Sequence, residues 1–179
     1  MYAVISTVDR SALVMVARIR SWLSEQCSYQ KMPRGLTPHL SWQGAQDYPL
    51  KKVEEVLRNL AQGLKPVTLR VSGFGIFSGK EPVVYLPVPR PIEISRIHNT
   101  LWNSLGPLAE GLNDYFSPEI WIPHISVFYG DEETLESLTC ALGKLTRTEI
   151  QFEITLDHFS IAFVKNGRYG TRKRIYFEG

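Results

Sequence analysis

One short signature occurs twice in this chain. Thr37-Pro38-His39-Leu40-Ser41-Trp42 returns as Ile122-Pro123-His124-Ile125-Ser126-Val127, with the histidine and the serine both displaced by 85 positions. The chain holds only four histidines, so half of them sit in this repeated setting. The separation is far above the roughly 20–50 residues of solenoid repeats, which argues for a duplicated supersecondary unit within one structure. At 179 residues the sequence fits one domain, 1–179, with no linker or low-complexity segment to divide it.

The surrounding elements support a duplication. Helical spacing appears four times. Asp9 can cap a helix with Leu13, Val16, Ile19 and Leu23 on its apolar face. A second, after Pro49, carries Val53, Val56, Leu57, Leu60 and Leu64. A third carries Ile94, Ile97, Leu101, Leu105 and Leu108, and a fourth Leu135, Leu138, Leu142 and Leu145. Between them, β-branched and aromatic runs predict strands over Thr68 to Ile76, Val83 to Val88, Ile120 to Tyr129, Ile150 to Phe163 and Arg172 to Phe177. Asn166-Gly167 between two such runs is a hairpin signal. Strands and helices mix along the whole length, so periodicity by itself gives an α+β or α/β class.

Composition narrows the function classes. A formal net charge of +2 excludes a heavily basic nucleic-acid coat while leaving room for a local phosphate site. The opening Met1 to Val8 is apolar but lacks a basic leader and reads as a first strand. No apolar run reaches the roughly 20 residues a bilayer crossing needs. The expectation is a soluble, cytoplasmic, monomeric protein with no membrane partner. Cys27 and Cys140 lack C-x-x-C spacing and read as free thiols of a reducing compartment, with one disulfide as the alternative.

The chemistry follows from the motif. On a strand, side chains alternate between faces, so His39 and Ser41 point one way, as do His124 and Ser126. Packed about a pseudo-twofold axis, two imidazoles and two hydroxyls would converge in one cleft. One neutral imidazole can take a proton while the other, as imidazolium, gives one. An unperturbed pKa of about 6.5 lets both states exist near neutrality. The hydroxyls can donate to phosphate oxygens as charge builds there. This chemistry requires no cofactor and no metal. His98 and His158 lack the motif and are assigned structural or surface roles.

By the same alternation Gln43 shares the face of His39, and Phe128 that of His124, where it could stack a base or pack in the core. Trp42 and Tyr129 should face the core. Lys31 and Arg34 precede the first motif, and Lys165, Arg168, Arg172, Lys173 and Arg174 surround the C-terminal hairpin. Lys31, Arg34, Arg168 and Arg172 are candidates to hold a nucleotide's phosphates. Gly75 to Lys80 is not a Walker A loop: Phe74 stands at its first glycine position, Glu81 replaces the hydroxyl residue and Pro82 follows. Neither a G-x-S-x-G elbow nor zinc-type Cys/His spacing is found.

At His39-Leu40-Ser41 and His124-Ile125-Ser126 the sequence resembles the two-histidine phosphoesterase superfamily. That group includes RNA 2′,3′-cyclic phosphodiesterases and 2′,5′ RNA ligase-like proteins. The resemblance covers nearly the whole chain. It implies an α+β fold that is bilobed, with two pseudo-symmetric halves, each a mostly antiparallel sheet with flanking helices, and motif strands lining a central cleft. It also implies metal-free hydrolysis of 2′,3′-cyclic phosphates on RNA ends or small nucleotides to 2′-phosphates. Alternatives are cleavage or joining of 2′,5′-linked or messenger nucleotides, and a non-catalytic nucleotide- or RNA-binding module of the same fold. Both motifs use Ser where Thr is more usual. The second continues Val127-Phe128-Tyr129, without the arginine that often follows it in bacterial RNA-processing members, which bears on substrate more than on reaction class.

Overall fold

The computed structural model describes residues 1–33, 35–165 and 168–179. Its elements run β1 (Tyr2–Thr7), α1 (Arg10–Cys27), β2 (His39–Asp47), α2 (Leu50–Ala61), β3 (Val67–Ser72), β4 (Gly75–Phe77), β5 (Val83–Pro87) and α3 (Ile92–Leu105). After these come β6 (Glu110–Leu112), β7 (His124–Tyr129), α4 (Leu135–Leu145), β8 (Gln151–Leu156), β9 (His158–Lys165), β10 (Arg168–Thr171) and β11 (Ile175–Tyr176). The class is α+β with antiparallel pairing throughout the described strands.

A single order of elements is used twice. β1-α1-β2-α2-β3 is matched by β5-α3-β7-α4-β8, with the motifs opening β2 and β7. β2 pairs with β1, and β7 pairs with β5. The two units do not keep separate sheets, however. Their last strands pair with each other as a two-stranded sheet, β3 with β8, while β9, β10, β11 and β6 extend the first sheet and β4 extends the second. Pairing of Lys165 with Arg168 puts β9 and β10 in hairpin register, and the expected Asn166-Gly167 turn lies outside the described residues.

Local chemistry explains the boundaries. Asp9 accepts hydrogen bonds from the Ser11 and Ala12 N–H groups with one carboxylate oxygen, which starts α1, and from the Thr155 N–H with the other. The run Thr68 to Ile76 is broken at Gly73, whose φ of +69° suits glycine and separates β3 from β4. The run Ile150 to Phe163 is two strands divided at Asp157, and that from Ile120 begins only at His124. Of Arg172 to Phe177, only Ile175–Tyr176 is strand. Helical faces follow their apolar spacing: Val16 and Leu23, Val53 and Leu57, Ile94 and Leu101, and Leu138 and Leu145 are buried. Leu135 is the exception, exposed in the first turn of α4.

The reading of two free thiols is corrected. Cys27, the last residue of α1, is bonded to Cys140 on α4, with Cα atoms 5.6 Å apart across 113 residues of sequence. Their spacing in the chain carries no sign of this, because the docking of α1 on α4 brings them together. No helix among the described residues is long and apolar enough to cross a membrane.

Candidate active site

The repeated motif acts first on the backbone. Pro38 and Pro123 offer no N–H, but their carbonyls accept bonds from Val8 and Val88 at 3.2 and 2.9 Å, extending the ladders with β1 and β5. The carbonyl before each proline turns to the ring of the histidine after it. Thr37 O lies 2.7 Å from His39 Nδ1, and Ile122 O lies 2.7 Å from His124 Nδ1. A carbonyl can only accept, so both Nδ1 atoms carry hydrogen and both Nε2 atoms hold the free lone pair in the neutral ring. The two units thus fix the same tautomer by the same device.

One residue beyond each motif serine, the strand bulges. β1 pairs Ile5 with Ser41 and Val4 with Gln43, skipping Trp42. β5 pairs Tyr85 with Ser126 and Val84 with Phe128, skipping Val127. An extra residue reverses the alternation beyond it. Gln43 therefore turns into the core, fully buried, and accepts a 2.8 Å bond from the Tyr48 hydroxyl. Phe128 likewise turns inward and stacks on Tyr29 at 3.9 Å. Tyr129, expected in the core, lines the cleft instead. Trp42 is buried as expected, stacked on Trp121 and edge-on to Phe159.

Carbonyls freed by the bulges are held by the opposite unit. The Ser41 carbonyl accepts from Trp121 Nε1 at 3.0 Å, and the Trp42 carbonyl from His98 Nε2 at 3.0 Å. In return, the Ser126 carbonyl accepts from Arg20 Nη2 on α1 at 2.8 Å. Tyr29, just after α1, bonds both the N–H and the carbonyl of Tyr129 through its hydroxyl. Each motif strand is thereby positioned by the other half of the chain, and buried polar backbone is satisfied. His98, stacked on Trp121 at 3.8 Å, is pushed down to about 4 by burial and stays neutral. His158 is also buried, its Nδ1 donating to Asp157 and its Nε2 accepting from the Thr7 N–H.

Both motif pairs open on one cleft of about 420 Å³, lined by His39, Ser41, His124 and Ser126 among others. Arg20, Phe77, Glu81, Tyr115 and Tyr129 also line it. Phe77 meets His124 edge-on at 4.8 Å and stacks on Tyr85 at 4.2 Å, with Tyr115 edge-on to Phe77. That stack needs Gly75, because a Cβ there would lie 2.5 Å from the Tyr85 ring. Burial lowers both motif imidazoles from their ordinary value, opposed by the bonds to Thr37 and Ile122. For His39, the charges of Arg20 and His124 lower it further. Among the described residues no group of three His, Cys, Asp or Glu side chains gathers as for a metal ion.

The basic candidates sit elsewhere. Lys31 is paired with Asp131 and Glu133, and Arg172 with Glu54 at 2.9 Å, and neither lines the cleft. Arg34 and the Arg168 side chain lie outside the described residues. The cleft arginine that sequence reasoning missed is Arg20. Its signal was present: it occupies the stripe of Val16, Leu23 and Cys27 on α1, where an apolar residue would serve the core. Phe77 and Tyr115 lie on a short strand and a single turn, where no periodicity could have marked them.

Comparison with known proteins agrees with this architecture. A Geobacillus sp. (strain WCH70) protein named "Putative phosphoesterase" is 27% identical over 138 residues, 75% of each chain. A "Putative phosphoesterase" of Bacillus pumilus (strain SAFR-032) is 29% identical over 126 residues, covering 69% of this chain and 67% of its own. The crystal structure of TT0787 of Thermus thermophilus matches with a TM-score of 0.61 at 15% identity, over 99% of this chain and 98% of that one. A crystal structure of a phosphoesterase gives a TM-score of 0.62 at 18% identity, again over 99% of this chain and 98% of that one. At those identities the two structures establish the fold. The family model of the 2′-5′ RNA ligase superfamily matches residues 8–168. With that match spanning most of its length and both motifs, the chain belongs to the 2′-5′ RNA ligase superfamily, within the two-histidine phosphoesterases.

Proposed function

We propose that this protein is a metal-independent phosphodiesterase that opens 2′,3′-cyclic phosphates of RNA ends or small nucleotides, leaving 2′-phosphates. The observation that carries this reading is the matched pair of imidazoles, each tethered through Nδ1 so that Nε2 is the free atom in a shared cleft. One Nε2 takes a proton from water as its oxygen bonds to phosphorus. The P–O3′ bond breaks, and the other ring, as imidazolium, gives its proton to O3′. Ser41 and Ser126 donate to the non-bridging oxygens as negative charge gathers on them. The cleft volume lies within the roughly 300–1,000 Å³ of small-ligand sites, which suits a nucleotide or a single RNA end. Phe77 and Tyr115 offer an aromatic wall beside His124 for a base.

The pH dependence of kcat/KM tests the roles. The base must be neutral and the acid protonated, so the profile is a bell. Both rings are shifted downward in the free protein. The imidazolium is therefore lost as pH rises through a value below about 6.5, and the basic limb falls early. The expected maximum of kcat/KM lies on the acid side of about pH 6.5, with activity declining towards pH 8. Activity that climbs steadily to pH 9 would rule out an imidazolium donor.

A further inference from the structure

Lys31 and Arg172 are neutralised by carboxylates. Arg20 is different. Its Nη1 and Nη2 donate to the carbonyls of Leu36 and Ser126, at 3.1 and 2.8 Å, and among the described residues it makes no ion pair. Glu81 lines the same cleft but does not pair with it. Its Nε–H is buried with no hydrogen-bond partner among the described residues. A guanidinium has five N–H donors, and the two carbonyl bonds leave the others uncommitted.

Resting on the phosphoesterase reading above, we propose that Arg20 is the anion seat of the cleft and binds the non-bridging oxygens of the substrate's phosphate. A half-buried guanidinium that faces a cleft and is held only by neutral carbonyls lacks a counter-charge, and a phosphate is the anion its fork fits. Position supports the assignment. Arg20 is tied to the backbone of Ser126 and to Leu36, three residues before His39, so an anion on it sits between the two motifs. Burial lowers the guanidinium from its ordinary value, and the oxygens of Tyr129 and Tyr29 oppose that. An incoming phosphate would act in the same direction as those oxygens and more strongly. Arg20 neighbours Tyr129, which ends the second motif strand, and α1 brings it there from the other half of the chain.

The test is a titration with inorganic phosphate, read apart from turnover. Wild type, Arg20→Met and Arg20→Lys would be compared by calorimetry, together with the His39→Ala/His124→Ala double variant. Phosphate affinity should fall at least tenfold in Arg20→Met and recover in part in Arg20→Lys, which keeps the charge and loses the fork. The double histidine variant should keep most of its affinity. KM for a cyclic nucleotide should rise in Arg20→Met by more than kcat falls. Since Arg20→Met could unfold through the lost Ser126 bond, the wild-type Nε–H resonance of Arg20 provides a second reading and should shift on adding phosphate. Unchanged affinity in folded Arg20→Met, or an Nε–H signal indifferent to phosphate, overturns the proposal. Arg20-dependent binding without turnover on any phosphodiester would leave the seat standing and sink the catalytic reading alone.

Discussion

Replacing either His39 or His124 by alanine is expected to lower turnover by about 10²–10⁴-fold, the usual worth of a positioned acid or base. The effect should be nearly the same in the two variants, because each ring is held by the same i−2 carbonyl and faces the same cleft. Each residue is only partly buried and its ring makes one hydrogen bond, to its own loop; His124 also loses its edge-on contact with Phe77, so truncation removes modest packing at the cleft wall and none from the core. Circular dichroism and the urea midpoint should therefore stay close to wild type. Combining both changes should cost little more than the worse single change, since residues acting as a unit do not add. Wild-type turnover in either single variant would remove that histidine from the mechanism.

Trp42→Ala should do the opposite, damaging the fold before the chemistry. Trp42 is fully buried at the bulge of β2, stacked on Trp121 at 5.5 Å and edge-on to Phe159 at 6.0 Å. Its Nε1 donates to Ser6 Oγ, which in turn donates to the His158 carbonyl. Truncation removes a large aromatic volume and strips Ser6 of one partner. Such changes cost about 3–5 kcal/mol. In a domain of marginal stability that is a large share of the total. Urea unfolding should show a midpoint shift of that size with a similar slope. Activity lost at 25 °C should recover in part on cooling or with a stabilising ligand, which a lost catalytic group would not allow. A loss under about 1 kcal/mol would mean that Trp121 and Phe159 close the gap by themselves.

The difference between these variants follows how the site could be read. His39 and His124 were legible because a Pro-His-aliphatic-Ser pattern occurred twice, and strand alternation put each on the face of its serine. Two residues later the same rule failed twice. Bulges at Trp42 and Val127 turned Gln43 and Phe128 into the core and brought Tyr129 out, and nothing local in Trp42-Gln43 or Val127-Phe128 announces an unpaired residue. Helical faces were legible from three-four spacing, apart from the exposed Leu135. Pairings between distant segments were not. The Cys27–Cys140 bond and the β3–β8 sheet depend on how the two units dock, which periodicity does not encode. Arg20 lay in plain view as a charge on an apolar stripe, and only its carbonyl partners 16 and 106 residues away show why it is there.

Metal-free hydrolysis of a 2′,3′-cyclic phosphodiester by two histidines is tested by product analysis on the four nucleoside 2′,3′-cyclic monophosphates with EDTA present, comparing wild type with the double His39→Ala/His124→Ala variant. The wild type should turn these substrates over and release the 2′-phosphate isomer, with no turnover above background in the variant. Release of the 3′-phosphate isomer, turnover abolished by EDTA, or equal activity in the variant would contradict this mechanism.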